Sequence, residues 1–163
     1  MKTFNDNTGR SWTLSVTVGT IKRVRALCGV DLANIITLEP GKQPKVDLLE
    51  RLASDPVLLV DVLYAVCKVE CDAKNVSDEE FGAAMAGDAI EHATSALLDE
   101  IIDFFPEAKR QAFKKILSAT RRFEAIAKKQ MKAMIADGKF EDKLVSELER
   151  LTGLSTSAPE FAE

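Results

Sequence analysis

Residues Ser11-Trp12-Thr13-Leu14-Ser15-Val16-Thr17-Val18 alternate polar and apolar without a fault, the period-two pattern of a half-buried strand. The alternation sends Trp12, Leu14, Val16 and Val18 to the core side. Upstream, Asn5-Asp6-Asn7-Thr8-Gly9 is a dense run of turn formers, and Lys2-Thr3-Phe4 is long enough to pair back as a second strand. A small N-terminal hairpin is the expected element. Two strands alone are marginal in water, so the hairpin must lie on helices or pair with another copy of itself.

After Gly19 the period changes. Ile21, Val24, Leu27 and Cys28 recur at helical spacing, and Gly29 is placed to end that helix. Asp31 can cap a short further turn carrying Leu32, Ile35 and Ile36. The stretch Glu39-Pro40-Gly41-Lys42-Gln43-Pro44 reads as an internal loop, a joint within one domain. Val46, Leu48, Leu49 and Leu52 form a brief helix. Asp55-Pro56 then supplies an N-cap and a proline at the first helical position for a helix running to about Asp72. Ser77-Asp78-Glu79-Glu80 has the spacing of a capping box and starts another. Gly87-Asp88 either breaks that helix or kinks it, and Ile90, Leu97, Leu98, Ile101, Ile102 and Phe105 continue the pattern. Pro106 opens the longest helix, which reaches about Ala136 and is stopped by Asp137-Gly138. A last helix spans about Phe140 to Leu151. From Ser155 onward no apolar face remains. The pattern therefore predicts a mainly α fold, a small N-terminal β-hairpin followed by about six helices, in a single helical domain over residues 1–154 with a mobile tail over 155–163.

A chain of 163 residues, 46% of them hydrophobic, can bury one sizeable core. Its 8 glycines, 5 prolines and 29% charged residues exclude collagen-like and wholly disordered readings. The longest apolar run, Pro56 to Cys67, is broken by Asp61 and falls short of the roughly 20 residues that cross a bilayer, so no membrane partner is expected. The first residues turn polar before a secretory signal could form. Three cysteines, an odd number, argue against a disulfide scaffold in a reducing compartment.

The formal charge of −4 hides a separation. Residues 46–103 hold 3 basic and 14 acidic side chains, a balance of −11, and residues 104–135 hold 9 basic and 2 acidic, a balance of +7. In the long helix Lys114-Lys115, Arg121-Arg122 and Lys128-Lys129 repeat every seven residues and share one face with Arg110 and Lys132. Phe113, Ile116, Phe123, Ile126, Ala127 and Met134 occupy the other. One reading is a solvated positive face opposite a core stripe. The sharper reading makes Lys114, Lys115, Arg121, Arg122, Lys128 and Lys129 a partner-binding surface, for a protein or for the acidic block of a neighbouring copy. Nucleic acid fits poorly, because no aromatic residues interleave with the basic ones and the rest of the chain would repel phosphate.

Catalytic constellations are weak. Asp88, His92 and Ser95 lie at i, i+4 and i+7 of one expected helix, and successive turns seldom give a serine the opposite imidazole nitrogen and oxyanion donors a triad needs. Cys67 and Cys71 at i, i+4 continue the stripe Val60, Leu63, Tyr64. A zinc site there would need two further ligands from Cys28 and His92, whereas free cysteine is commonly a small buried hydrophobe. Phosphate loops, dinucleotide fingerprints, His-Glu-x-x-His and calcium-loop patterns do not occur. The expectation is a non-enzyme with no catalytic, cofactor-binding or metal residues and no cofactor.

Several segments carry a family likeness: Thr3-Phe4-Asn5-Asp6-Asn7-Thr8-Gly9-Arg10-Ser11-Trp12, Ile21-Lys22-Arg23-Val24-Arg25, Leu52-Ala53-Ser54-Asp55-Pro56-Val57-Leu58-Leu59, Val76-Ser77-Asp78-Glu79-Glu80-Phe81-Gly82 and Ala84-Met85-Ala86-Gly87-Asp88. In these, the chain resembles the tail assembly chaperones encoded by tailed, siphophage-like phages and prophages. The similarity covers about residues 2–110, and the C-terminal helices match in character alone. The resemblance implies a largely helical, non-enzymatic helper that binds the tape measure protein and holds it soluble until tail tube subunits, a further candidate partner, polymerise around it. It implies action in the host cytoplasm and absence from the finished virion. An alternative is a structural neck or tail completion protein retained in the particle, and a third is an unrelated regulatory helical domain. A homo-oligomer is expected, through open strand edges of the hairpin and pairing of the acidic and basic blocks between copies.

Overall fold

The computed structural model describes residues 1–137 and 139–152. Strands β1 (Lys2–Asn5) and β2 (Ser11–Leu14) pair antiparallel, with Phe4 opposite Trp12 and Lys2 opposite Leu14. Seven α-helices follow among the described residues: α1 (Val18–Cys28), α2 (Asp47–Ser54), α3 (Pro56–Ala73), α4 (Asp78–Ala83), α5 (Asp88–Phe104), α6 (Glu107–Ala136) and α7 (Lys139–Thr152). A 3₁₀ turn, Leu32–Asn34, lies between α1 and α2. The fold is mainly α with an N-terminal hairpin, as the pattern predicts. The chain divides into two compact units, Met1–Lys114 and the part from Lys115 onward, with the boundary inside α6.

Local chemistry sets the element ends. Gly29 closes α1 in the left-handed conformation, φ 66°, where its N–H donates to the carbonyl of Arg25. The Asp31 carboxylate accepts the N–H of Ala33 at 3.1 Å, and that of Asp55 accepts the N–H of Leu58 at 3.0 Å. Ser77 and Glu80 form the full capping box, each side chain accepting the other's backbone N–H at 3.1 Å. Gly87, at φ 54°, breaks the chain between α4 and α5 rather than kinking one helix.

The first unit is organised around the hairpin. Trp12 and Leu14 are fully buried, Trp12 meets Phe81 edge-on at 5.1 Å, and Tyr64 meets Phe81 edge-on at 5.6 Å. Burying each such large side chain is worth about 1.5–3 kcal/mol. Beneath the turn lies Asp6. Its carboxylate accepts the N–H and hydroxyl of Thr8 (2.9 and 2.6 Å), the N–H and Nε of Arg10 (3.0 and 2.9 Å) and Trp12 Nε1 at 3.0 Å. Burial pushes its pKa up, but the bonds from Thr8, Trp12 and Arg10 outweigh burial and hold the group well below the usual carboxylate range. The turn is pinned to the α4–α5 connection, where Asn7 donates from its backbone to the carbonyl of Ala84 and from Nδ2 to that of Ala86, both at 3.0 Å.

Two expectations change. Val18 is 59% exposed: β2 ends at Leu14, so Val18 opens a helix instead of extending a strand. The outer edge of β2 is not open. Thr13 N–H donates to Glu70 Oε2 at 2.8 Å, Lys74 Nζ donates to the Ser11 carbonyl at 2.7 Å and Cys67 Sγ to the Thr13 carbonyl at 3.9 Å. Side chains of α3 thus occupy the groups another strand would need, and α5 packs along β1. The stop at Asp137-Gly138 in part, and the mobile tail over 155–163, lie outside the described residues.

Candidate functional site

The six basic residues singled out by their seven-residue repeat all fall on α6, but they differ in surroundings. Lys114 is engaged within the first unit, with Nζ 3.0 Å from Asp103 Oδ1 on α5. Lys2 adds a second cation to that carboxylate at 3.4 Å, and Asp103 is held below its ordinary pKa, first by the hydrogen bond from Lys114. Lys115, Arg122, Lys128 and Lys129 are exposed and Arg121 is half-buried. The positive face is real and largely solvent-facing.

The opposite face departs from the core-stripe expectation. Phe113 and Leu117 are buried and Ile116 and Thr120 half-buried. Beyond them the same stripe runs on uncovered: Phe123 is 73% exposed, and Ile126, Met131 and Ile135 are exposed as well. Helical periodicity specifies which side is apolar, not whether anything lies on it. On α7, Leu144, Leu148 and Leu151 recur at steps of four and three with Val145 beside them, and all four are exposed. Large exposed apolar side chains in such a series mark an interaction surface more often than a defect. Ile116, Thr120, Phe123, Ala127, Met131 and Met134 follow steps of four, three, four, four and three, the spacing by which one helix lies along another.

A second feature sits in the first unit. Pro56, Val57, Val60 and Asp61 of α3, Asp78, Glu79 and Gly82 of α4, Met85, and Ile90 of α5 line a groove of about 340 Å³. Its lining combines apolar side chains with three exposed carboxylates. Asp61 is pushed above the ordinary aspartate pKa, first by burial and then by the negative charges of Asp78 and Asp55. A further cleft of about 470 Å³ lies between β2, α1 and α3. There Arg23 is turned inward, donating to the carbonyls of Ala65 at 2.6 Å and Val66 at 3.1 Å.

No family model, curated protein or solved structure matches the chain. Functional inference therefore rests on these surfaces and on the residues themselves. Asp88 and His92 are exposed on consecutive turns of α5 and Ser95 is half-buried one turn further. Cys67 and Cys71 are buried in α3, and burial, before any charge, pushes their thiols up to about 12 and about 11. Thiolate is correspondingly scarce there at neutral pH. Among the described residues no group of three or more His, Cys, Asp or Glu could hold a metal ion, and no helix is long and apolar enough to cross a membrane. The sequence pattern missed the Asp6 network, whose one visible signal is an aspartate inside a turn six residues before the single tryptophan, and it missed the groove, whose walls come from three helices.

Proposed function

We propose that the protein is a tail assembly chaperone of the tailed-phage type, a non-enzymatic, cofactor-free helper that holds the tape measure protein through the exposed stripe of α6 and α7. The observation that carries this reading is that stripe: eight large apolar side chains, Phe123 to Leu151, open to solvent at helical spacing. A client of long amphipathic helices would complete it by side-by-side helix pairing. Burying the exposed parts of these side chains supplies the apolar part of such a pairing, and a helper that must surrender its client to polymerising tail tube subunits requires that the holding be reversible. The basic face of α6, including Lys115, Arg121, Arg122, Lys128 and Lys129, speeds encounter and sets register with acidic stretches of the client. The protein acts in the host cytoplasm and leaves before the virion is complete.

The test is co-expression with the tape measure protein of the same genome. Wild-type chain keeps the client soluble and co-purifies with it, whereas a Phe123→Ser, Met131→Ser, Leu148→Ser variant with unchanged helicity does not. Equal recovery of soluble client with the folded variant would refute the reading, and finding the chain in purified virions would favour the structural neck or completion role.

A further inference from the structure

The acidic groove and the basic arm are complementary in both of their properties. The apolar part of the groove's lining includes Val57, 70% exposed, and half-buried Val60 and Ile90, and a side chain at Gly82 would meet open space. Around it stand Asp61, Asp78 and Glu79, for which no ion pair is found among the described residues. The mutual repulsion of Asp61, Asp78 and Asp55 is relieved by a cation brought to the rim. On α6, one border between the two faces carries both kinds of group: Lys115, Arg122 and Lys129 lie at about 160–200° around the helix, with Ile126 at about 220° and Phe123 at about 280°, taking Phe113 as zero. That border sets apolar side chains beside cations, the charge complement of a lining that sets apolar side chains beside carboxylates.

We propose that the groove of one copy receives the edge of α6 that carries Lys115, Arg122, Ile126 and Lys129 from a second copy, so that this edge is sheltered until a client displaces it. Groove and arm are different patches, so the contact either closes as a reciprocal pair, each arm in the other copy's groove, or propagates into rings or chains. Opposed balances of −11 over residues 46–103 and +7 over 104–135 make the contact sensitive to salt. The proposal rests on the stripe being the client surface, and it adds that self-association and client binding compete for it.

The experiment is sedimentation velocity of the full chain at 50 and 500 mM NaCl, with two charge-reversed variants, Asp61→Lys/Asp78→Lys in the groove and Lys115→Glu/Arg122→Glu on the arm. All four positions are surface-facing, and circular dichroism checks that the variants fold. Wild type should sediment as assemblies at low salt and shrink toward monomer at high salt. Each variant alone should be monomeric, because its arm and groove carry like charge, and an equimolar mixture should re-form assemblies, because every contact between the two variants again joins opposite charges. A wild type that is monomeric at both salts, variants that assemble like wild type, or a mixture that stays monomeric would each overturn the proposal. Client pull-down with the groove variant separates the two ideas. Lost assembly with retained or increased client binding supports both. Lost assembly with no client bound by any form leaves the groove–arm contact standing but removes the chaperone reading and the competition with it, and client bound by a groove variant that still assembles removes the contact and keeps the chaperone reading.

Discussion

Replacing Asp6 by alanine removes a carboxylate that accepts five hydrogen bonds, and their donors do not suffer equally. Thr8 is exposed and Arg10 is partly so, so their groups can turn to water. Trp12 is 0% exposed, and its Nε1–H would be left buried without an acceptor, a loss of about 1–3 kcal/mol. Loosening of the turn, which Asp6 holds through the N–H groups of Thr8 and Arg10, adds about 1 kcal/mol. The expected destabilisation is about 2–4 kcal/mol, a fall of roughly 1–2 M in the urea midpoint. Asp6→Asn should come close to it, since its amide would set a donor against Trp12 and Arg10. The assay is urea unfolding followed by circular dichroism, with a double-mutant cycle against Trp12→Phe, in which no orphaned indole N–H remains and Asp6→Ala should cost about 1–2 kcal/mol less. The sign with pH follows from the depressed native pKa. Stability from this group is fully present above the unfolded carboxylate value of about 3.9 and is lost as pH falls through the lower folded value, so wild type should lose its advantage over Asp6→Asn below about pH 4. A cost under about 0.5 kcal/mol, the size of an ordinary surface change, or an unchanged cost in the Trp12→Phe background, would refute the reasoning.

Ser77→Ala should remove one half of the capping box and destabilise the first unit by about 1 kcal/mol, measured by the same unfolding curve. A thiol reagent at pH 8 should modify half-buried Cys28 first and Cys67 and Cys71 only on unfolding, because burial raises the pKa of all three and encloses the latter two most fully. Reversing Lys114, Lys115, Arg121 and Arg122 to glutamate should slow client association and flatten its salt dependence without loss of helicity, read by surface plasmon resonance at two salt concentrations. Lys114→Glu by itself should also register in stability, by less than about 1 kcal/mol, through loss of the ion pair with Asp103.

How much of this was legible in the sequence depended on how local the physics was. The hairpin, the Asp31, Asp55 and Ser77 caps and the Gly29 stop are written in neighbouring residues, and each stands where the pattern places it. The strand alternation misplaces Val18 because it runs on past the end of β2 at Leu14. The stripe from Phe123 was visible as an apolar face, but its exposure depends on what packs nearby, which no helical wheel contains. The groove brings Val57, Asp78 and Ile90 together from three helices, and the closing of the β2 edge needs Glu70 and Lys74 from α3. Such juxtapositions are tertiary, and short-range patterns do not encode them.

The central claim is that the uncovered stripe of α6 and α7 is the client surface, and amide hydrogen exchange of the chain alone and with the tape measure protein tests it most directly. Helices with few buried side chains open easily and exchange fast when free. On binding, the account predicts slowed exchange over residues 123–135 and 144–151, with the Asp6 turn and the β1–β2 hairpin unchanged. Protection confined to residues 1–114, with α6 beyond Leu117 and α7 exchanging as in the free chain, would contradict it.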